Sequence, residues 1–260
     1  MIAWIESQPL TVVFVIAFGF CYAIALAIWL GARAAANRKL AEDLKATTPG
    51  IMPPLSVFVA VLIGFIAARV WANYDRAHAY IGAEGSALRE AGLLADALPA
   101  DSAAALHKAI GDYLHFVETE DWPAMQTGQA DLRQEPAALA EALRAVLAAA
   151  PAGAGPAVAQ QRATIALEDV LAARHGRILL SREEISPIQW VAMILTAVMV
   201  LLIAAMVHIE RPRTVAINLV IYATSVAICL TMLLIYDLPF GPAGRFLAAD
   251  PLHELGADQR

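Results

Sequence analysis

Four long runs of apolar residues stand out along this chain: Pro9–Gly31, Pro53–Trp71, Ile188–Ile209 and Val215–Tyr236. Arg69, near the end of the second, is the one Lys, Arg, Asp or Glu inside them. A helix rises ~1.5 Å per residue, so ~20 apolar residues cross the ~30 Å hydrocarbon core of a bilayer. Runs apolar on every face have no use in a soluble domain of this size, and the pattern predicts four transmembrane helices.

Between the second and third runs the pattern becomes periodic. Ala77, Ile81, Leu88, Ala91 and Ala95 recur at helical steps, and Leu106, Ile110, Tyr113, Leu114 and Val117 repeat them. Leu139, Leu143, Val146 and Leu147 mark a third helix before the Pro/Gly-rich stretch 151–156. Ile165, Leu167, Val170, Leu171, Ile178 and Leu179 mark a fourth. No stretch alternates with period two. The expected class is all-α: a membrane hairpin over 1–72, a helical extramembrane domain over 73–186, a second hairpin over 187–237 and a tail over 238–260. No proline or paired glycine falls between Gly64 and Ala79, so the second span is expected to run on as one helix, while Pro187 suits the first turn of the third.

Composition agrees, with 60% hydrophobic and 16% charged residues and a mean hydropathy of +0.61. The first run reads as an anchor and not a cleaved leader, because Glu6 is the only charge before it and its length exceeds an h-region of ~7–15 residues. Cys21 and Cys229 both lie inside spans and read as small packing residues. Charge is unevenly placed. The segment Asn73–Ser186 holds nine of the 18 Lys and Arg but 16 of the 24 Asp and Glu, so the net −6 of the chain comes from there. An acidic domain with no basic stripe excludes nucleic-acid binding.

The short connecting segments carry the opposite charge. Arg33, Arg38, Lys39 and Lys45 lie in 32–51, and Arg211 and Arg213 in 210–214. The positive-inside rule therefore places both segments in the cytoplasm, and both termini and the domain on the other side. Trp4, Trp29, Trp71 and Trp190 fall at span ends, where interfacial anchors are expected.

Small residues recur every four positions on two spans: Gly19, Ala23, Ala27 and Gly31, then Ala60, Gly64, Ala68 and Ala72. Such stripes let helix backbones approach closely, either across a seam between copies or inside one bundle. No carboxylate lies mid-span, which disfavours a proton-coupled transporter but not a passive pore. Phe58, Ala60, Leu62, Gly64, Phe65, Ala68 and Arg69 are the candidate pore or seam residues, with Phe58, Leu62 and Phe65 able to form a hydrophobic constriction.

Catalytic patterns are absent: the chain has no HExxH, Gly-rich phosphate loop, CxxC or GxSxG. No catalytic residue, cofactor or metal ligand is assigned, and an enzyme is not expected. His107, His115 and Glu118 share helical spacing but read as solvated surface residues. Glu118, Glu120, Asp121 and Trp122 form an acidic–aromatic element suited to docking a partner.

Several ordered motifs carry a family resemblance. Trp71-Ala72-Asn73-Tyr74-Asp75-Arg76-Ala77 followed by Glu84 and Leu88, then Tyr113 with Asp121-Trp122-Pro123, then Arg174, Arg177, Pro187 and Trp190, and last Asp237-Leu238-Pro239-Phe240-Gly241-Pro242 resemble a bacterial four-span membrane family labelled bestrophin-like. The resemblance covers Gly50 to Pro242; the family's usual Pro-Phe-Ser-Gly lacks its serine here. It implies four spans with a helical domain between the second and third, in the bacterial inner membrane. The label implies a homo-oligomeric ion channel. A non-catalytic accessory, sensor or scaffolding subunit of a larger membrane complex is the alternative, and membrane lipids are partners in either case.

Overall fold

The computed structural model describes residues 8–34, 38–133, 135–150, 152–183, 185–237 and 240, with the side chains of 38–52 left aside. Every regular element among these residues is helical, in the order α1 (Leu10–Ala34), α2 (Arg38–Ala95), α3 (Ala100–Phe116), a π-turn (Val117–Asp121), α4 (Trp122–Gln126), α5 (Ala137–Ala148), α6 (Ala154–Leu180), α7 (Pro187–Val207) and α8 (Pro212–Tyr236). Four helices are long and apolar enough to cross a membrane: α1, α2 from Pro53 onward, α7 and α8. The protein is an all-α, multi-pass membrane protein. Trp4 lies outside the described residues.

The described residues form two compact units, one within Met1–Ala72 and Glu184–Asp237, the other within Asn73–Glu183 and Leu238–Arg260. In the first unit α1 lies along α8. Cys21 and Ala25 meet Val215, Leu219, Ala223 and Ala227, with Leu201 and Ala205 of α7 in the same cluster. Small side chains on both partners bring the backbones close, which is how helices associate where lipid competes for every apolar contact. Tyr22 Oη and Thr224 Oγ1 add a hydrogen bond of 2.9 Å. The four-residue stripe that packs within the chain is thus Ala17–Cys21–Ala25, all buried. The two predicted stripes lie on outward faces: Gly19, Ala23, Ala27, Gly31, Ala60, Gly64, Ala68 and Ala72 are all exposed.

Two details depart from the sequence reading, and the start of α7 agrees with it. Within the segment 32–51, expected to connect two spans, the described residues are helical, because α1 reaches Ala34 and α2 begins at Arg38. Lys, Leu, Ala and Glu are strong helix formers, and a charged connection between spans does not by itself end a helix. Trp190 is buried at 2% exposure and is no interfacial anchor, whereas Trp71 stays 55% exposed. Ser186 begins α7 with a capping box, its N–H donating to Gln189 Oε1 at 3.2 Å, and Pro187 follows in the first turn.

In the second unit the core holds Ala77, Ile81, Leu88 and Ala91 of α2, Leu106, Ile110 and Tyr113 of α3, Leu139 and Val146 of α5, and Leu167, Val170 and Ile178 of α6. Leu147, Ile165 and Leu179, expected inside, are 61%, 42% and 54% exposed. On α6 the inward stripe runs Leu167, Val170, Arg174, Arg177, Ile178, so two arginines take places that an apolar count gives to leucine and isoleucine. Phe240, from the segment read as a tail, belongs to this core and meets Trp122 edge-to-face at 5.6 Å.

Candidate functional site

The buried arginines on α6 lead to the most highly organised polar cluster among the described residues. Arg177 donates from Nε to Glu84 Oε2 at 2.8 Å and from Nη2 to Glu84 Oε1 at 3.0 Å, a two-pronged grip on one carboxylate. Arg174 grips Asp121 in the same way, with Nε to Oδ2 and Nη2 to Oδ1 both at 2.8 Å. Arg177 Nη2 bridges to Asp121 Oδ2 at 3.3 Å, and Tyr113 donates its hydroxyl to Glu84 Oε1 at 2.6 Å. Glu84 and Arg177 are 0% exposed, Arg174 1% and Asp121 4%. The planar guanidiniums also lie near aromatic rings: Arg174 is 5.9 Å from the Phe116 centroid and Arg177 5.7 Å from that of Trp122.

Local sequence explains how Asp121 turns inward. Steps of four residues drift by about 40° around an α-helix, which carries a residue eight positions from Tyr113 away from the buried face. Pro123 has no N–H to give the carbonyl of Thr119, and the chain answers with the wider π-turn Val117–Asp121. Tyr113, Val117 and Asp121 then share one buried face. Glu118 and Glu120 stay exposed on the other side. Of the four residues expected to form a docking element, Asp121 is therefore inside and ion-paired, and Trp122 is half-buried.

Two carboxylates and two guanidiniums balance in charge, and each carboxylate is gripped by an arginine. The cluster therefore holds no spare acid, base or nucleophile; it fixes α2, α3, the π-turn and α6 in one register. Burial opposes the charge on Arg177, but attraction from Glu84, the neighbouring Tyr113 and Asp121 outweighs it and raises its pKa. Burial, then the adjacent Glu84 charge, pushes the Tyr113 hydroxyl well above its ordinary value. A raised native pKa means that this stabilising effect is complete below the ordinary tyrosine pKa of about 10 and fades as pH climbs through the native value. The alkaline absorbance titration of Tyr113→Phe should therefore superimpose on that of the wild type until the domain unfolds; a missing ionisation near pH ~10 would contradict it.

In the membrane unit, the candidate pore residues of α2 lie on one open arc. Phe58 and Phe65 are 59% and 73% exposed. Ala60, Gly64, Ala68 and Arg69 are exposed and Leu62 is half-buried, while Ile66 and Val70 turn inward. At ~100° per residue, Phe58, Leu62, Phe65 and Arg69 form one strip and Ala60, Gly64 and Ala68 a second, about 130° round the helix from it. Arg69 Nη1 donates to Gln189 Oε1 at 3.2 Å. In the same unit, Asp237 accepts the backbone N–H of Ile185 at 3.0 Å and the Trp71 ring lies 5.4 Å from that of Tyr236. No group of three or more His, Cys, Asp or Glu gathers as metal ligands among the described residues. His107 meets Asp96 at 3.3 Å.

The model of the Bestrophin-like domain matches residues 18–243. The chain belongs to the bestrophin-like family. No curated protein and no solved structure matches it. Within this bestrophin-like chain, several of the residues that carried the resemblance meet inside the helical domain. Glu84, Tyr113, Asp121, Arg174 and Arg177 make the buried cluster, with Trp122 against it. Asp237 closes the start of α7. The paired roles of Glu84 and Arg177 escaped the sequence reading, since a lone glutamate and a lone arginine 93 positions apart carry no periodic mark.

Proposed function

We propose that this bestrophin-like protein is a homo-oligomeric passive ion channel or pore of the bacterial inner membrane and works without catalysis. The open arc of α2 supports this best. The small-residue strip suits close contact with a neighbouring copy, and the Phe58–Leu62–Phe65–Arg69 strip, about 130° round the same helix, then faces the axis. Aromatic rings would form a hydrophobic constriction, and a ring of Arg69 side chains at one end would favour anions. The positive-inside rule supports a cytoplasmic location for 32–51 and 210–214 and a periplasmic one for the helical domain.

A second reading is a non-catalytic accessory or sensor subunit of a larger membrane complex. It draws on the exposed acids Glu118 and Glu120, which project from the π-turn into solvent. Reconstitution into planar bilayers separates the two. The pore should conduct, and Arg69→Ala should shift its reversal potential toward cations. Absence of conductance across salts, voltages and pH, together with a stable partner on native purification, would leave the accessory role standing.

A further inference from the structure

At the opposite end of α1 from its start, the chain builds a cleft of a different kind. Trp29, Arg33, Arg211, Pro212, Arg213 and Ala216 line it, where the last turns of α1 meet the first turn of α8. The Trp29 indole N–H donates to the carbonyl of Pro212 at 3.1 Å, tying the two helices together. Arg33 lies over the Trp29 ring at 5.4 Å, which holds its guanidinium at the cleft mouth. Three cations thus face one opening, and among the described residues none of them has a carboxylate partner. Glu210 precedes Arg211 and Arg213 in the chain but does not line the cleft. Like charges this close repel, and an anion between them relieves the repulsion.

The cleft does not end at the arginines. Trp29 and Ala216 are shared with an apolar groove that continues along the same pair of spans, lined by Tyr22, Leu26, Leu219 and Val220. A soluble anion has no use for the groove, and an acyl chain alone has no use for the arginines. A basic opening at the interfacial level joined to an apolar furrow at hydrocarbon depth matches a molecule with both parts. We propose that this surface is a binding site for one anionic phospholipid, its phosphate among Arg33, Arg211 and Arg213 and an acyl chain along the α1–α8 groove. The site stands whether or not the protein conducts ions.

Native mass spectrometry of the full chain in mild detergent tests this, with phosphatidylglycerol, phosphatidylcholine of the same acyl chains and inorganic phosphate as probes. Phosphatidylglycerol should be retained as one tight copy, at least tenfold tighter than phosphatidylcholine. Each of Arg33→Gln, Arg211→Gln and Arg213→Gln should weaken it by about fivefold, the usual effect of one cation near an anionic headgroup. Val220→Trp, at an exposed groove position where folding is undisturbed, should weaken phosphatidylglycerol while leaving all three arginines in place. Arg89→Gln, an exposed arginine of the other unit, should change nothing. Equal binding of the two lipids, an unchanged affinity in the arginine variants, or an equal loss in Arg89→Gln would overturn the site. Displacement of phosphatidylglycerol by millimolar phosphate would mark a soluble-anion site and overturn the lipid assignment.

Discussion

Replacing Arg177 by methionine should lower the local stability of the helical domain by about 3–5 kcal/mol, the cost of stranding a buried charge. Glu84 is fully buried, and without Arg177 its carboxylate keeps only the Tyr113 hydroxyl. Asp121 keeps Arg174, so the damage centres on the junction of α2 and α6. Hydrogen–deuterium exchange of the full chain in detergent should show amide protection across 77–95 and 163–180 falling by about 150- to 5,000-fold. The double variant Glu84→Gln with Arg177→Met removes both charges together and should recover most of that loss. A double variant no more protected than Arg177→Met would show that packing, and not the unpaired carboxylate, carries the effect.

The second large effect concerns assembly. A Cβ added at Gly64 meets nothing within 4 Å in the protein's own chain, so Gly64→Leu leaves the fold of one copy untouched. If the strip contacts a neighbour, the added bulk overfills that contact at a cost of about 1–3 kcal/mol per site, repeated at every interface of a ring. Gly64→Leu combined with Ala68→Leu should convert the oligomer to monomer by mass in mild detergent and abolish conductance. Leu195→Ala, at an exposed position of α7, should be silent. An unchanged mass in the double variant would mean that this face meets lipid alone.

What the sequence disclosed follows from what each signal measures. The spans were legible because hydrocarbon tolerates so little charge that composition alone marks them. The domain's helices were legible wherever apolar residues kept a 3.6-residue beat, as at Ala77, Ile81, Leu88 and Ala91. That same beat failed on α6. Arg174 and Arg177 occupy core positions, and a reader who counts charges as solvated looks past them to Ile165 and Leu179, which face outward. Asp121 was hidden for a related reason: its inward aim depends on a π-turn, and a single widened turn leaves no periodic trace. In sequence the arginines of the basic cleft bear only on sidedness, because Arg33 and Arg211 lie far apart there and only the α1–α8 pairing brings them together.

That pairing also bears on how the protein is made. Tyr22 and Thr224, bonded across α1 and α8, are 202 residues apart. At about 5–20 residues per second, the ribosome needs on the order of 10–40 s to deliver the partner after the first span has emerged. Through that interval α1 must wait in the bilayer with Cys21, Ala25 and Tyr22 turned toward lipid instead of protein. A span without Lys, Arg, Asp or Glu across Leu10–Ala32 waits safely, since nothing on it demands an early companion. Biogenesis thus sets a limit on the first helix that the finished bundle does not: any strongly polar group placed on its α8-facing stripe must survive translation alone before α8 arrives to shield it.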